Sequence, residues 1–132
     1  MKKLYFLFFC YILNTNAQTV TTLAGSTNGY VDGIGNSAKF NGPSGVDIDP
    51  DGNIIVADRV NNRIRKVTPS GVVTTIAGSV EGFADGPGAT ALFSFPMNLS
   101  VDNAGIIYVA DSGNHRIRKI MPAEIFHPGI NN

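Results

Sequence analysis

Two carboxylate–guanidinium pairs recur at the same spacing in this sequence. Asp58 and Arg63 stand between two apolar runs, and Asp111 and Arg116 repeat them 53 residues later. A carboxylate held beside a guanidinium can serve as a general base, but it can also satisfy the backbone of a turn. Because an active site is normally unique whereas a turn device recurs, the repetition favours structure over catalysis. The sequence therefore predicts that Arg63 pairs with Asp58 to support a turn.

Asparagines complete both motifs. Asn61 and Asn114 lie three residues after each aspartate, where a short polar side chain readily bonds the backbone of a turn. No residue is predicted to be catalytic or to bind a cofactor. We expect one structural repeat motif in each copy, made of Asp58, Asn61 and Arg63 and then of Asp111, Asn114 and Arg116.

Basic side chains cluster beside the same motifs. Such clusters can contact phosphate or an anionic glycan. They can also be solvated or paired between neighbouring elements. The second role is favoured because the chain is mildly acidic and carries an export signal. Only two histidines are present, His115 and His127, and their unrelated positions do not predict a zinc site. The clusters are Arg63, Arg65 and Lys66 in the first copy and Arg116, Arg118 and Lys119 in the second.

The first 17 residues are typical of a secretory signal peptide. Lys2 and Lys3 precede an apolar run over residues 4–13, which is too short for a bilayer span of about 20 residues, and small or polar residues follow at 15–17. Removing this segment removes the only cysteine, Cys10, and leaves eight basic against ten acidic residues. We therefore expect a secreted, periplasmic or cell-surface protein without disulfides, a nucleic-acid partner or a membrane span in its mature chain.

An internal repeat supplies the elements that position these residues. Residues 20–72 align with residues 73–125 without a gap and are identical at 25 of 53 positions. Each copy alternates short apolar or β-branched runs with turns rich in Pro, Asp, Asn and Gly, such as residues 50–53. Four such runs, spaced by about eight to twelve residues, are typical of one antiparallel blade of a β-propeller. The predicted fold class is therefore all-β.

The repeated residues resemble the NHL repeat. The pattern Gly-x-x-x-Asp-x-x-Gly-x-Ile-x-Val-Ala-Asp-x-x-Asn-x-Arg-Ile-Arg-Lys runs from Gly45 to Lys66. The linking pattern Gly-x-x-Asp-Gly-x-Gly-x-x-Ala-x-Phe, from Gly29 to Phe40, is similar to that of bacterial secreted members. The resemblance covers nearly all of the mature chain. It implies a propeller of about six blades, of which this sequence carries two.

The resemblance also implies how the chain is divided. The expected parts are a signal peptide at 1–17, an N-terminal strand at 18–25, a first blade with its linking loop at 26–78, an incomplete second blade at 79–122, and a divergent tail at 123–132. The tail carries Pro and Gly where the first blade has a Thr-rich run, so the second blade is predicted to lack its own outer strand. The N-terminal strand would then complete a neighbouring or closing blade.

Two blades leave apolar faces that only a further blade can cover. Three such chains can form a ring, the sequence can be a fragment of a longer reading frame, or the pair can dock on a partner that supplies the missing blades. The expected function is non-catalytic binding or scaffolding of a protein or a glycan. The alternative is a truncated, inactive piece of a six-bladed, lactonase-like hydrolase or lyase.

The hydrolase alternative implies a divalent cation in the propeller channel, where the resemblance places Asp47, Asp49 and Asp102. Asp49 and Asp102 each precede a turn and are expected to accept backbone N–H bonds there. Asp47 is matched by Ser100 in the second copy. No metal or other cofactor is therefore predicted, and these three carboxylates are the only candidate ligands.

Overall fold

Two antiparallel sheets form the computed structural model, which describes residues 1–8, 10 and 16–123. Short 3-10 turns lie at Gly35–Ser37, Arg59–Asn61 and Ser112–Asn114. The prediction of an all-β chain with two blades is confirmed. The strands are β1 (Gly33–Ile34), β2 (Pro43–Ile48), β3 (Ile54–Asp58), β4 (Arg63–Val67), β5 (Val72–Gly78), β6 (Pro96–Val101), β7 (Ile107–Asp111) and β8 (Arg116–Ile120).

The first blade contains five strands in the order β1-β5-β4-β3-β2. Strands β2 to β5 are the four strands that the sequence predicts, and they pair as consecutive antiparallel neighbours. β1 adds two residues of the linking loop to the outer edge, where Gly33 pairs with Val73 and Ile34 with Val72. β1 therefore ties the linking loop to the outside of its own blade.

The second blade repeats three of these strands in the order β6-β7-β8. Its strands begin 53 residues after β2, β3 and β4, and their registers match, with Asp111 opposite Arg116 as Asp58 is opposite Arg63. Met121 to Ala123 follow β8 without regular structure. The rest of the predicted divergent tail, 124–132, lies outside the described residues.

Polar side chains define the turns between the inner strands. Between β2 and β3, Asp49 accepts hydrogen bonds from the amides of Asp51 and Asn53, while Gly52 adopts a φ of +85° that favours glycine. Between β6 and β7, Asp102 accepts from the amide of Ala104 in the same way. Each hairpin is thus set by local turn chemistry, as the sequence predicts.

Two apolar clusters lie on opposite faces of the first blade. Its back face contributes Ile55, Ala57 and Ile64 to the first cluster, which packs on the second blade. Its front face contributes Val56 and Val67 to the second cluster, which packs against the linking loop. Because successive residues of a strand point to opposite faces, one blade can bury apolar groups on both sides. The apolar run from Ile54 to Ala57 is explained by this arrangement.

The inner strands of the two blades approach closely. β2 lies beside β6, and a Cβ added at Gly45 would come within 2.8 Å of the Asn98 Cα. Glycine is therefore needed at this crossing. Hydrogen bonds also join the blades. Among them, Ser44 Oγ donates to the Met97 carbonyl at 2.6 Å, the Val101 amide to Asp47 Oδ2 at 2.7 Å, and the Phe95 amide to Asn62 Oδ1 at 2.8 Å.

The expected N-terminal strand pairs with no other strand in the described part of the chain. Residues 19–24 form no ladder with any described strand, although Ala24 packs on the second cluster and the Gly25 amide donates to the Gly35 carbonyl at 3.1 Å. An outer strand needs the edge of a blade beside it, and β1 already covers the outer edge of the first blade. The pairing of this segment with a neighbouring or closing blade stays a prediction.

The N-terminal segment is described only in part. Residues 1–8 are exposed and without regular structure, and residues 9 and 11–15 of the predicted signal peptide lie outside the description. Within the described residues, no helix has the length and apolar character needed to cross a membrane.

Candidate functional site

Asp58 lies at the end of β3 with both carboxylate oxygens engaged. Its Oδ1 accepts the Asn41 amide at 2.8 Å. Its Oδ2 accepts the Asn61 side-chain amide at 2.8 Å and Arg65 Nη1 at 2.6 Å. The side chains of Asp58 and Arg65 are both fully buried. A buried carboxylate with three donors holds structure in place and has no oxygen exposed to abstract a proton.

Arg65 binds the linking loop to the blade. Besides Asp58, its guanidinium donates to the Lys39 carbonyl at 3.1 Å, to the Val31 carbonyl at 3.0 Å and to Asp32 Oδ1 at 2.8 Å. The guanidinium carbon lies 4.9 Å from the centre of the Phe40 ring and 5.2 Å from the centre of the Tyr30 ring. Its Nε is the only buried side-chain nitrogen or oxygen of the described residues that has no hydrogen-bond partner. Charge-assisted bonds and aromatic contacts together fix residues 30–40 on the blade.

The predicted pairing of Asp58 with Arg63 is wrong. The two residues are opposite each other in the register of β3 and β4, but Arg63 Nη1 donates to the Asn61 carbonyl at 2.9 Å and its guanidinium lies 3.5 Å from the centre of the Tyr30 ring. Arg65 lies on the same face two residues further along β4, and a long side chain reaches a diagonal cross-strand neighbour. Asn61, expected to bond the backbone of its turn, instead donates to Asp58 Oδ2 and to the Gly29 carbonyl of the linking loop.

The second blade repeats the arrangement with Arg118 in the place of Arg65. Arg118 donates to Asp111 Oδ2 at 2.8 Å, to Asp85 Oδ1 at 2.7 Å and to two loop carbonyls. Asn114 bonds Asp111 and the Gly82 carbonyl, as Asn61 bonds Asp58 and the Gly29 carbonyl. Arg116, expected to pair with Asp111, instead lies 4.0 Å from the centre of the Phe83 ring. The correction made for the first blade therefore holds for the second.

Sequence reasoning missed the two central arginines and their outer aspartates, Asp32 and Asp85. A signal was present, because every partner of Arg65 has a counterpart 53 residues later, including the aromatic rings at Phe40 and Phe93. Arg65 and Arg118 are buried, so four exposed or half-exposed side chains remain of the six predicted to form basic clusters: Arg63, Lys66, Arg116 and Lys119.

The candidate metal ligands Asp47, Asp49 and Asp102 bond to the protein instead of converging on one point. Asp49 and Asp102 accept turn amides, as predicted. Asp47 accepts the amides of Val101 and Ile48, which hold the pKa of its carboxyl below its ordinary value. Across the described residues, no group of three or more His, Cys, Asp and Glu side chains is arranged to hold a metal ion.

Hydrogen bonds also lower the pKa of Asp49. Desolvation by burial acts to raise it, but the side chain and amide of Asn53 and the amide of Asp51 outweigh that effect, and Lys66 adds a smaller attraction. A carboxylate that accepts several N–H bonds is stabilised in its ionised form. Asp49 is thus a fixed turn residue, and both of its carboxylate oxygens accept hydrogen bonds from the turn.

The described surface has open grooves at the two ends of the blade pair. One, of about 190 Å³, lies on the front of the first blade and is lined by apolar side chains including Leu23, Val46 and Ile54. Another, of about 410 Å³, lies beside β8, between Arg118–Met121 and the loop at Asp85–Gly88. We call the second groove the outer slot. Both grooves offer contact surfaces. The carboxylates described above, in contrast, are bonded within the protein.

Known proteins match both repeats. The NHL repeat profile matches residues 40–67 and 93–120, which contain both Asp–Asn–Arg motifs. Human NHL repeat-containing protein 2 is 37% identical over 101 residues, which are 73% of this chain and 14% of that protein. The chain spans between 9% and 14% of the length of the curated relatives that it matches.

Solved structures from Bacteroides share the fold. An auxiliary nutrient binding protein from Bacteroides ovatus matches with a TM-score of 0.69 and 32% identity, over 77% of this chain and 28% of its own. A Bacteroides thetaiotaomicron structure named provisionally as a phosphatase matches with a TM-score of 0.68 and 30% identity, over 76% of this chain and 26% of its own. The matched length in each is about a quarter of a larger chain.

Proposed function

Because this chain belongs to the NHL repeat family, we propose that it is an exported, non-catalytic binding or scaffolding module built from two propeller blades. The observation that carries this proposal is the commitment of its motif carboxylates. Asp58 and Asp111 are buried and bonded to arginine, asparagine and a backbone amide in the same way in both blades. A repeated and saturated arrangement suits a scaffold that presents loops.

An anionic glycan is the ligand class that the surface supports best. Each blade presents one half-exposed aromatic ring next to an arginine: Tyr30 with Arg63, and Phe83 with Arg116. Rings and guanidinium groups together can contact the apolar faces and the anionic groups of a sugar chain. The nutrient-binding name of the Bacteroides ovatus relative supports a binding role. A protein ligand is the alternative that the same surface allows.

Calorimetric titration with sulfated and uronic-acid oligosaccharides tests this function. We expect the unchanged protein to bind these oligosaccharides without cleaving them. Arg63→Ala combined with Arg116→Ala should lower the affinity about tenfold or more. Lys66→Ala combined with Lys119→Ala is the matched control for lost positive charge. Equal losses in both double variants would contradict the ring-and-arginine surface, and no binding of any glycan would contradict the ligand class.

A fragment of a propeller hydrolase is the second candidate function, favoured by the provisional phosphatase name of the Bacteroides thetaiotaomicron relative. The same titrations can be run with phosphate esters and lactones, with and without calcium. Turnover, or a calcium-dependent rise in melting temperature that Asp47→Asn removes, would support this candidate over the binding module.

Export is proposed from the basic residues, apolar run and small residues of 1–17. Mass spectrometry of the chain after expression in a bacterium should find Gln18 at the N-terminus of the exported protein. A chain that stays in the cytoplasm with residues 1–17 intact would contradict export.

A further inference from the structure

We propose that a second copy of this chain docks on the second blade and inserts its residues 19–24 into the outer slot as the missing fourth strand. The outer slot lies where β5 lies in the first blade. There, β4 pairs with β3 on one side and with β5 on the other. β8, the counterpart of β4, pairs with β7, and its other edge has no partner strand among the described residues.

Asp85 marks the place of the missing strand. In the first blade, its counterpart Asp32 bonds Arg65 and also accepts the amide of Thr75 at 3.2 Å and the Thr75 hydroxyl at 3.0 Å. Asp85 bonds Arg118, and no other described residue donates to it. Its side chain is 81% exposed, against 43% for Asp32. The difference corresponds to the absence, among the residues that the structure describes, of one equivalent to Thr75.

Thr22 is that equivalent residue. It precedes Thr75 by 53 positions, and residues 19–25 match residues 72–78 at five of seven positions. Gly25 already occupies the place of Gly78, because its amide bonds Gly35 as Gly78 bonds Gly88, and both glycines have positive φ. The segment therefore ends where the outer strand of a preceding blade would end, and it has no ladder partner among the described strands.

The segment faces away from the second blade of its own chain. Ala24 packs on the front of the first blade with Val56 and Val67, whereas the second blade packs on the back of the first. A blade completed by residues 19–24 would thus lie in front of the first blade. The second blade of another copy provides such a blade.

The apolar clusters show the same incomplete interface. In the first cluster, residues of the second blade such as Leu99 and Val109 are covered by Ile55, Ala57 and Ile64. Their counterparts on the front of the first blade are Val46, which is 65% exposed against 7% for Leu99, and Val56, which is buried in the second cluster. The group that would cover them is the back face of a second blade, made of Tyr108, Ala110 and Ile117.

The exposed back face supports this pairing. Ile117 is 76% exposed, whereas its counterpart Ile64 is fully buried. Docking would therefore reproduce between chains an interface that already exists within one. Such a contact is heterologous, because two different surfaces meet, and it yields either a ring or a filament. This inference rests on the propeller fold and on the association expected of an incomplete blade pair, and it does not depend on which ligand binds.

Light scattering on a sizing column tests the inference with the full-length chain. Thr22→Pro removes the amide donor from an unpaired segment, and Ile117→Arg places a charge on an exposed back face, so neither change disturbs a contact within one chain. We expect the unchanged protein to run as a multiple of the chain mass, and each variant to run as a single chain. A closed ring of three chains would complete six blades.

Mixing the two variants distinguishes this contact from other kinds of association. The Ile117→Arg chain still has an intact strand to donate, and the Thr22→Pro chain still has an intact slot. An equimolar mixture should form a dimer of one chain of each kind and should grow no further. Thr22→Ser, which keeps both donors, and Val80→Arg, at an exposed apolar position outside both faces, should assemble as the unchanged protein does.

Three results would overturn the inference: a monomeric unchanged protein at high concentration, an unchanged mass for Thr22→Pro, or a mixture that remains monomeric. An unchanged mass for Thr22→Pro would assign the outer slot to another segment or partner. Ligand titration of the monomeric variants separates the two proposals, because glycan binding by a monomer supports the binding function even where strand exchange fails.

Discussion

The two blades contain the same motif but differ in what covers them. Ile64 and Ile117 are identical residues at equivalent positions, yet one is buried between blades and the other is exposed. Arg65 and Arg118, in contrast, have closely similar partners in both blades. The bonds between the buried arginine and aspartate thus form within each repeat, whereas apolar burial depends on the adjacent blade. Repeat proteins combine these two contributions, one intrinsic to the unit and one from its neighbour.

The largest effects should come from the intrinsic network. Arg65→Ala removes the partner of a fully buried carboxylate, and breaking a buried ion pair costs about 3–5 kcal/mol. Arg118→Ala should destabilise by a similar amount, because Asp111 is equally buried. Arg63→Ala, which loses a ring contact and one carbonyl bond, should cost less than about 1 kcal/mol.

Denaturant unfolding of these three variants gives the free energies directly. If Arg63→Ala proves as costly as Arg65→Ala, then the ion pair with Asp58 is not the main source of stability. If only one of Arg65→Ala and Arg118→Ala lowers the free energy of unfolding strongly, the polar networks of the two blades do not contribute equally to stability.

Smaller effects should distinguish the two isoleucines. Ile64→Ala removes a buried side chain and should cost about 2–4 kcal/mol, whereas Ile117→Ala should change the stability of a single chain by less than about 0.5 kcal/mol. The contrast between these two losses of stability should narrow as the protein concentration rises, since docking of a second copy would bury Ile117. Melting curves at several concentrations measure this, and a constant contrast would argue against docking.

The smallest effect should be the pH dependence of the bond between the blades. The amides of Val101 and Ile48 lower the pKa of Asp47, so its ionised form is favoured in the folded state. The resulting stability is complete above the ordinary carboxyl pKa and is lost as the pH falls through the lowered value, that is, below about pH 4. The second blade has Ser100 at the equivalent place and cannot contribute in this way.

Melting temperatures measured from pH 7 to pH 2 test this effect. Asp47→Asn should reduce the fall in melting temperature at acid pH, that is, it should flatten the acid limb of the curve. Asp51→Asn, a change to an exposed carboxylate in the nearby turn, serves as the control. Identical acid limbs for Asp47→Asn and the unchanged protein would show that the bond to Val101 does not couple the blades.

The fold could be predicted from the sequence because the signals for β2, β3 and β4 recur 53 residues later in β6, β7 and β8. The turn roles of Asp49 and Asp102 follow from local chemistry, and the structure confirms them. Asn61 and Asn114 instead bond carbonyls of the linking loops. The partner of Asp58 could not be predicted in the same way. Arg63 and Arg65 both lie on its face of the sheet, and the choice between them depends on a loop more than 25 residues away, which brings Asp32 and the Lys39 carbonyl to Arg65.

The linking loop that Arg65 secures makes each repeat a portable unit. The hydrogen bonds of the Arg65 side chain span between 7 and 34 residues, which is less than the 53-residue period. A tandem duplication of 53 codons would therefore add a blade whose buried charges are already neutralised, without any compensating change elsewhere. The number of blades in such a gene can then change by whole copies, and only apolar faces at the junctions need to fit.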